Sequence, residues 1–239
     1  MCDFHHGKRI VITILVCGHD VVIIMHKEGD ALLIQQPVYY PFREVIEDNG
    51  RIFVNNQLHY EDGKYTIDFE DFEKKIVDNN VKVFILCNPH NPVGRVWTKE
   101  ELEKMGDICL KHNVVIMDDE IHCDFTYPGF KFTSFMTLDE KYHNSLVLYT
   151  SPSKTFNVAG LQPANIIIKN PELRAAYRKA NAAAGYSQGS IMGQVAVKSV
   201  YTKGDEWVNE LVEYITGNMN YMRDFRKRKT SRRLIFVRS

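Results

Sequence analysis

The sequence has no stretch approaching the roughly 20 consecutive apolar residues that a membrane-spanning helix needs. It also has no C-x-x-C pair. Its cysteines, Cys2, Cys17, Cys87, Cys109 and Cys123, form an odd, scattered set, which argues against a disulfide framework or a structural zinc site and fits a reducing cytoplasm. Charge of one sign is missing too: 30 Lys and Arg balance 30 Asp and Glu, so no overall field draws in nucleic acid or an anionic membrane. Neither an internal repeat nor a low-complexity segment is present. The run "IVITILVCG" after Lys8 and Arg9 is short and lacks a small-residue cleavage pattern, so it reads as a buried strand rather than a signal sequence.

What is present is a globular α/β pattern. The 239 residues are 44% hydrophobic, enough for one large domain or two small ones with a real core. Short apolar runs recur as "ALLIQ" (31 to 35), "RIFV" (51 to 54), "VKVFIL" (81 to 86), "NVVIM" (113 to 117), "SLVLY" (145 to 149) and "ANIII" (164 to 168). Their hydrophobicity is continuous rather than alternating, which predicts strands covered on both faces, as in a mostly parallel sheet. Helices are expected between them. Asp68 caps one with an inner face of Phe69, Phe72 and Ile76, and Thr98 and Glu101 form a capping box ahead of Leu102, Met105 and Cys109. Asn170 before Pro171 opens another, and Trp207, Leu211, Ile215, Met219 and Met222 stripe a long helix from 205 to about 225. Repeated βαβ order implies a doubly wound sheet with helices on both faces, whose ligands sit beyond the carboxyl ends of the strands.

Three polar clusters fall at that rim: "CNPHNPVGR" (87 to 95), "DDEIHCDF" (118 to 125) and "TSPSKTF" (150 to 156), each directly after an apolar run. Each has an ordinary explanation. Two Asn-Pro pairs and a glycine are turn chemistry, most lysines are simply solvated, and carboxylates can line a wet strand end. Each also has a functional one. Asn91, held by its prolines, can present its amide. Lys154 behind a strand can meet a phosphate or form a Schiff base. If the strand persists through the acidic cluster, Asp118, Glu120 and His122 share one face and Asp119 stands alone on the other; the first three would then be candidate ligands of a metal hydrolase.

Read together, "NPHNPVGRVWTKEEL", "DDEIHCDF" and "SPSKTFNVAGLQ" resemble the signatures of fold-type I pyridoxal-phosphate enzymes. Within these they are most similar to the class I/II aminotransferase-like branch that contains the PatB and MalY group of cystathionine β-lyases. Asn91 lies 28 positions before Asp119, and Asp119 lies 35 before Lys154, spacings that match the family's pattern. With "GDALLIQQPVYYPF" (29 to 42) the resemblance runs from about residue 29 to about 225. It implies pyridoxal 5'-phosphate as cofactor and no metal. Lys154 would carry the cofactor's Schiff base and take the substrate Cα proton. Asp119 would pair with the pyridine nitrogen, and Asn91 would donate to the phenolic oxygen with His122 at the same edge. Tyr39 would stack on the ring, and Ser151 would serve as a phosphate-binding hydroxyl. A C–S β-lyase reaction on cystathionine or a related cysteine S-conjugate is expected, releasing a thiol, pyruvate and ammonia, with transamination as the alternative.

The expected organisation is a divergent segment (1–28), a cofactor-binding large domain (29–204), an interdomain-type helix (205–226) and a basic tail (227–239). The family's phosphate-binding turn ahead of the first large-domain helix is matched only by Cys17-Gly18. Its C-terminal small domain, with a carboxylate-clamping arginine, has no counterpart in "RDFRKRKTSRRLIFVRS", whose residues 223 to 233 include seven basic ones. A shortened cofactor domain is therefore expected, as a homodimer acting on a small amino acid, or as a non-catalytic remnant of the fold.

Overall fold

The computed structural model describes residues 10–16, 19–26, 28–183 and 190–229. Six strands form one sheet: β3 (Ala31–Ile34), β4 (Ile52–Asn55), β7 (Val81–Cys87), β8 (Val115–Asp119), β9 (Leu146–Thr150) and β10 (Asn165–Ile167), in the order β10-β9-β8-β7-β3-β4. All pairings are parallel except that of the edge strand β10. The chain places β4 on one side of β3, then returns to build β7, β8 and β9 outward from the other. That reversal is the switch point of a doubly wound sheet, beyond whose carboxyl edge ligands bind.

The apolar runs form the sheet because helices cover both of its faces. On one side Leu32, Val83, Ile85, Met117 and Val147 pack with Phe42 and Ile46 of α1 (Pro41–Asp48) and Tyr177 of α4 (Pro171–Ala183). On the other, Leu33, Phe84, Leu86 and Ile116 meet α2 (Phe69–Asp78) and α3 (Lys99–Lys111). The caps lie where the sequence places them. Asp68 accepts from the backbone of Glu70 and Asp71, Thr98 and Glu101 complete their capping box, and Asn170 accepts from Glu172 and Leu173. Phe72 of α2 is wholly buried, a contribution of roughly 2 kcal/mol.

Outside this sheet, β1 (Ile10–Val16) pairs antiparallel with β2 (His19–His26). The strand expected from "IVITILV" thus forms, but as half of a separate hairpin. A second hairpin, β5 (His59–Glu61) with β6 (Lys64–Thr66), turns through Asp62-Gly63, both at positive φ, as a two-residue hairpin loop requires. After α4 the chain forms α5 (Ile191–Lys203) and α6 (Asp205–Lys229). The long helix runs three residues past the expected boundary at 226. Its stripe of Leu211, Ile215 and Met219 is only half-buried, and Trp207 and Met222 are exposed.

At the junction of α5 and α6, buried Gly204 leaves no room for a side chain. A Cβ there would overlap the Phe156 ring and the Val200 carbonyl. The Val200 oxygen is backbone and cannot swing aside, so the two helices dock against the residue two positions after Lys154.

Candidate active site

The parallel strands bring the expected residues to one rim. Tyr39 follows β3, Asn91 follows β7, Asp119 ends β8 and Lys154 follows β9. The carboxyl ends of three neighbouring strands lie side by side, with Cys87 registered to Asp119 and Asp119 to Tyr149, one residue before β9 ends. Backbone bonds then tie the emerging loops together: Asn88 N–H donates to Asp119 O, and Glu120 N–H donates to Tyr149 O, both at 2.9 Å.

The Asn-Pro loop is rigid for reasons visible residue by residue. Gly94 takes φ 65°, and its N–H donates to His90 O at 2.8 Å. Buried His90 donates from Nε2 to Pro37 O at 3.0 Å, and burial depresses its pKa to about 4, so the ring is neutral at pH 7. Arg95 lies over Trp97 and grips both Glu101 oxygens at 2.7 and 2.6 Å, so the capping-box glutamate also anchors the loop. The Trp97 indole donates to Cys87 O at 3.0 Å. Held in this way, Asn91 lines a cavity of about 200 Å³ together with His122, Pro89 and Phe125. A larger hollow of about 930 Å³ lies beyond Val96 and Phe130, which border both, and none of the six expected site residues lines it.

The strand does not persist through the acidic cluster. It ends at Asp119, and residues 121–124 form a turn, so the shared face expected for Asp118, Glu120 and His122 does not exist. Among the described residues no group of three or more His, Cys, Asp or Glu side chains is arranged to hold a metal ion. Asp119 belongs to the face of Met117 and Tyr149. Its Oδ1 accepts from Ile121 N–H at 3.1 Å, and burial raises its pKa to about 6, opposed by that hydrogen bond and by the Lys154 charge. His122 is pushed below the usual imidazole range, first by burial and then by the same lysine. Lys154 itself is exposed. One cation therefore acts on both Asp119 and His122, across the space the strands leave at the rim.

Asp118 points the other way, into the core under α3. It is wholly buried, with the Glu120 carboxyl as its side-chain partner. Burial first, and the Glu120 carboxylate next, push its pKa well up. Glu120 Oε1 accepts from Phe135 N–H at 2.9 Å, so Glu120 secures the short turn at 135–137. A proton held by Asp118 and shared with Glu120 satisfies the pair. Because the folded state keeps a proton that the unfolded chain releases above pH ~4, stability falls as pH rises from there toward the raised folded value. Asp118→Asn keeps a donor without needing that proton. Its melting temperature is expected to exceed wild type by a margin that widens between pH 5 and pH 8 in thermal denaturation.

Of the remaining expected residues, Tyr39 is half-buried, its ring 5.6 Å from Phe42 and 5.7 Å from Tyr40. Ser151 is buried. Its Oγ donates to Pro163 O at 2.5 Å and meets Ser153 Oγ at 2.7 Å, so it reaches an outside phosphate only by exchanging one of these bonds. Cys17 and Gly18, the sole match to the phosphate turn, lie outside the described residues, as do residues 230–239 of the basic tail. Sequence reasoning missed Asp124 and Thr155, whose side chains join at 2.7 Å. The only signal was a third aspartate in "DDEIHCDF".

Residues 17–229 match the family described as aminotransferase class I and II. Cystathionine beta-lyase PatB of Bacillus subtilis is 44% identical over 192 residues, covering 80% of this chain and 50% of that protein. Protein MalY of Escherichia coli is 32% identical over 200 residues, with 82% and 50% covered. Among solved structures, cystalysin from Treponema denticola, which contains a pyridoxal 5'-phosphate cofactor, superposes with a TM-score of 0.82 at 40% identity, covering 84% of this chain and 51% of that one. The PLP-bound C-S lyase from Staphylococcus hominis gives 0.78 at 35%, covering 84% and 50%. The chain thus spans about half the length of these relatives. With the match running from residue 17 to residue 229, the chain belongs to the class I and II aminotransferase family.

Proposed function

We propose that the chain supplies the cofactor-binding half of a pyridoxal-phosphate-dependent C–S β-lyase acting on cystathionine or a related cysteine S-conjugate, releasing a thiol, pyruvate and ammonia. The observation that carries the reading is the pairing at the rim of a buried carboxyl of raised pKa, Asp119, with an exposed lysine on the neighbouring loop. Such a carboxyl is left short of a cationic partner, which a protonated pyridine nitrogen provides. The residues present therefore fit the group.

Pyridoxal phosphate, when bound, supplies the electron sink for negative charge at the substrate Cα. Asp119 would hold the proton on the pyridine nitrogen, Asn91 would donate to the phenolic oxygen, and His122 would stand at the same edge as a neutral ring. Lys154 is the residue that would hold the cofactor aldehyde, and its amine would serve as the acceptor of the substrate Cα proton. Tyr39 would cover the ring, and Ser151 would serve the phosphate by exchanging one of its present bonds. Elimination rather than transamination is favoured because PatB and the Staphylococcus hominis enzyme are named as lyases.

A homodimer is part of the same reading. Ile191, Met192 and Val195 on α5 and Tyr214 and Tyr221 on α6 are exposed apolar side chains, which mark an interaction surface when they cluster. Catalysis by the chain is tested by loading it with pyridoxal phosphate, adding cystathionine and following pyruvate. Pyruvate formed without an added keto acid supports the lyase. Product that requires a keto acid acceptor assigns an aminotransferase, and cofactor uptake with neither product assigns a remnant.

A further inference from the structure

Lys154 is exposed, yet the residues on either side of it, Ser153 and Thr155, are each only 1% exposed. Something fixes this backbone while leaving the lysine side chain free. On the Ser153 side, the Ser151 hydroxyl accepts from Ser153 N–H at 3.1 Å, and Val158 N–H donates to Ser153 O at 3.0 Å. Thr155 is held from two directions. Its hydroxyl donates to Asp124 Oδ2 at 2.7 Å, and its carbonyl accepts from the Trp207 indole at 3.1 Å. Asp124 lies five residues after Asp119, in the turn closed by Cys123 N–H to Glu120 O and Phe125 N–H to His122 O, both at 3.0 Å. The turn that follows Asp119 thus reaches across and grips the segment that carries the lysine.

We infer that Asp124 is a positioning residue for Lys154: by accepting the Thr155 hydroxyl, its carboxylate locks the lysine turn to the turn that follows Asp119. The inference rests on the cofactor reading above for its purpose, but on this chain's own hydrogen bonds for its geometry. A carboxylate suits the role because it accepts from a hydroxyl without needing a donor of its own. Trp207 adds a hold from α6, so the lysine turn is clamped between the sheet rim and the long helix.

The test compares wild type, Asp124→Ala, Thr155→Val and Asp124→Asn, the last of which keeps an acceptor oxygen. In the cofactor-free chain, amide exchange at Phe156 and Val158, whose N–H groups bond within this turn, is expected to rise about tenfold in the first two variants, as loss of one hydrogen bond to a charged group implies. Asp124→Asn is expected to stay near wild type. With pyridoxal phosphate added to equal occupancy, the induced visible circular dichroism of the bound cofactor is expected to weaken in Asp124→Ala and Thr155→Val and to recover in Asp124→Asn. Unchanged exchange in both variants overturns the clamp, and faster exchange with unchanged dichroism overturns its positioning role. If wild type takes up no cofactor, the cofactor reading fails separately, and the exchange arm still decides the clamp.

Discussion

Lys154→Ala is expected to abolish covalent capture of pyridoxal phosphate: no visible absorbance band develops and no borohydride-stable label remains on the protein. The reason is chemical. Among the site residues only Lys154 offers a primary amine at the rim, and a carbonyl cofactor is tethered only by such an amine. Any pyruvate release should fall by about 10²- to 10⁴-fold or more, because in the proposed function the same group is the proton acceptor at Cα. The fold should be untouched. The side chain is exposed, and substitutions of that kind shift stability by only about 0.5 kcal/mol. Equal thermal denaturation of the two proteins, with only one taking up label, separates chemistry from folding.

The second large effect belongs to Asp119. Its carboxyl has a pKa of about 6, above that of an ordinary aspartate in the unfolded chain. A folded value raised in this way adds stability at low pH that is lost as pH climbs from ~4 to about 6; above that the chain carries a buried carboxylate with too few partners. In the proposed function a protonated pyridine nitrogen would supply the missing partner. Cofactor uptake by the wild type should therefore strengthen as pH rises through about 6, where the carboxyl ionises. Asp119→Asn should lose this dependence and bind roughly 10- to 100-fold more weakly, as loss of a hydrogen bond to a charged group implies. Without cofactor, the same variant should melt higher than wild type at pH 8. Titration of the visible band against pH, beside melting of the cofactor-free proteins, checks both signs.

The sheet was legible because its strands are buried on both faces: the runs at 31 to 35, 81 to 86 and 145 to 149 announce themselves by unbroken hydrophobicity. Helices with side-chain caps were equally plain, since Asp68, Thr98 and Asn170 make the bonds their residue types suggest. What escaped is marked less plainly. Helix α1 begins at Pro41 behind Tyr40, which makes no side-chain cap, and α5, although Ser190 caps it by accepting from Gly193 N–H, shows little separation of apolar from polar faces, with Ile191, Met192 and Val195 all exposed. The β5–β6 hairpin is too short to show alternation.

Within the site, family spacing brought Asn91, Asp119, His122 and Lys154 to one rim, yet periodicity misjudged the residues around them. A period-2 reading carried the strand past Asp119, whereas the backbone turns at once because Ile121 N–H bonds back to the Asp119 side chain. That early turn separates Asp118, buried in the core, from His122 at the rim, and removes the grouping a metal site would need. It also swings Asp124 within reach of Thr155, a contact between residues 31 positions apart that no local pattern encodes.

The account turns on whether the rim holds pyridoxal phosphate through one particular lysine. The direct measurement is to mix the wild-type chain with the cofactor, reduce with borohydride, digest, and locate the added phosphopyridoxyl mass by peptide mapping. The account predicts one label per chain on the peptide that contains Lys154, blocked when Lys154 is replaced. A label scattered over surface lysines, or none on a chain that melts cooperatively, would contradict it.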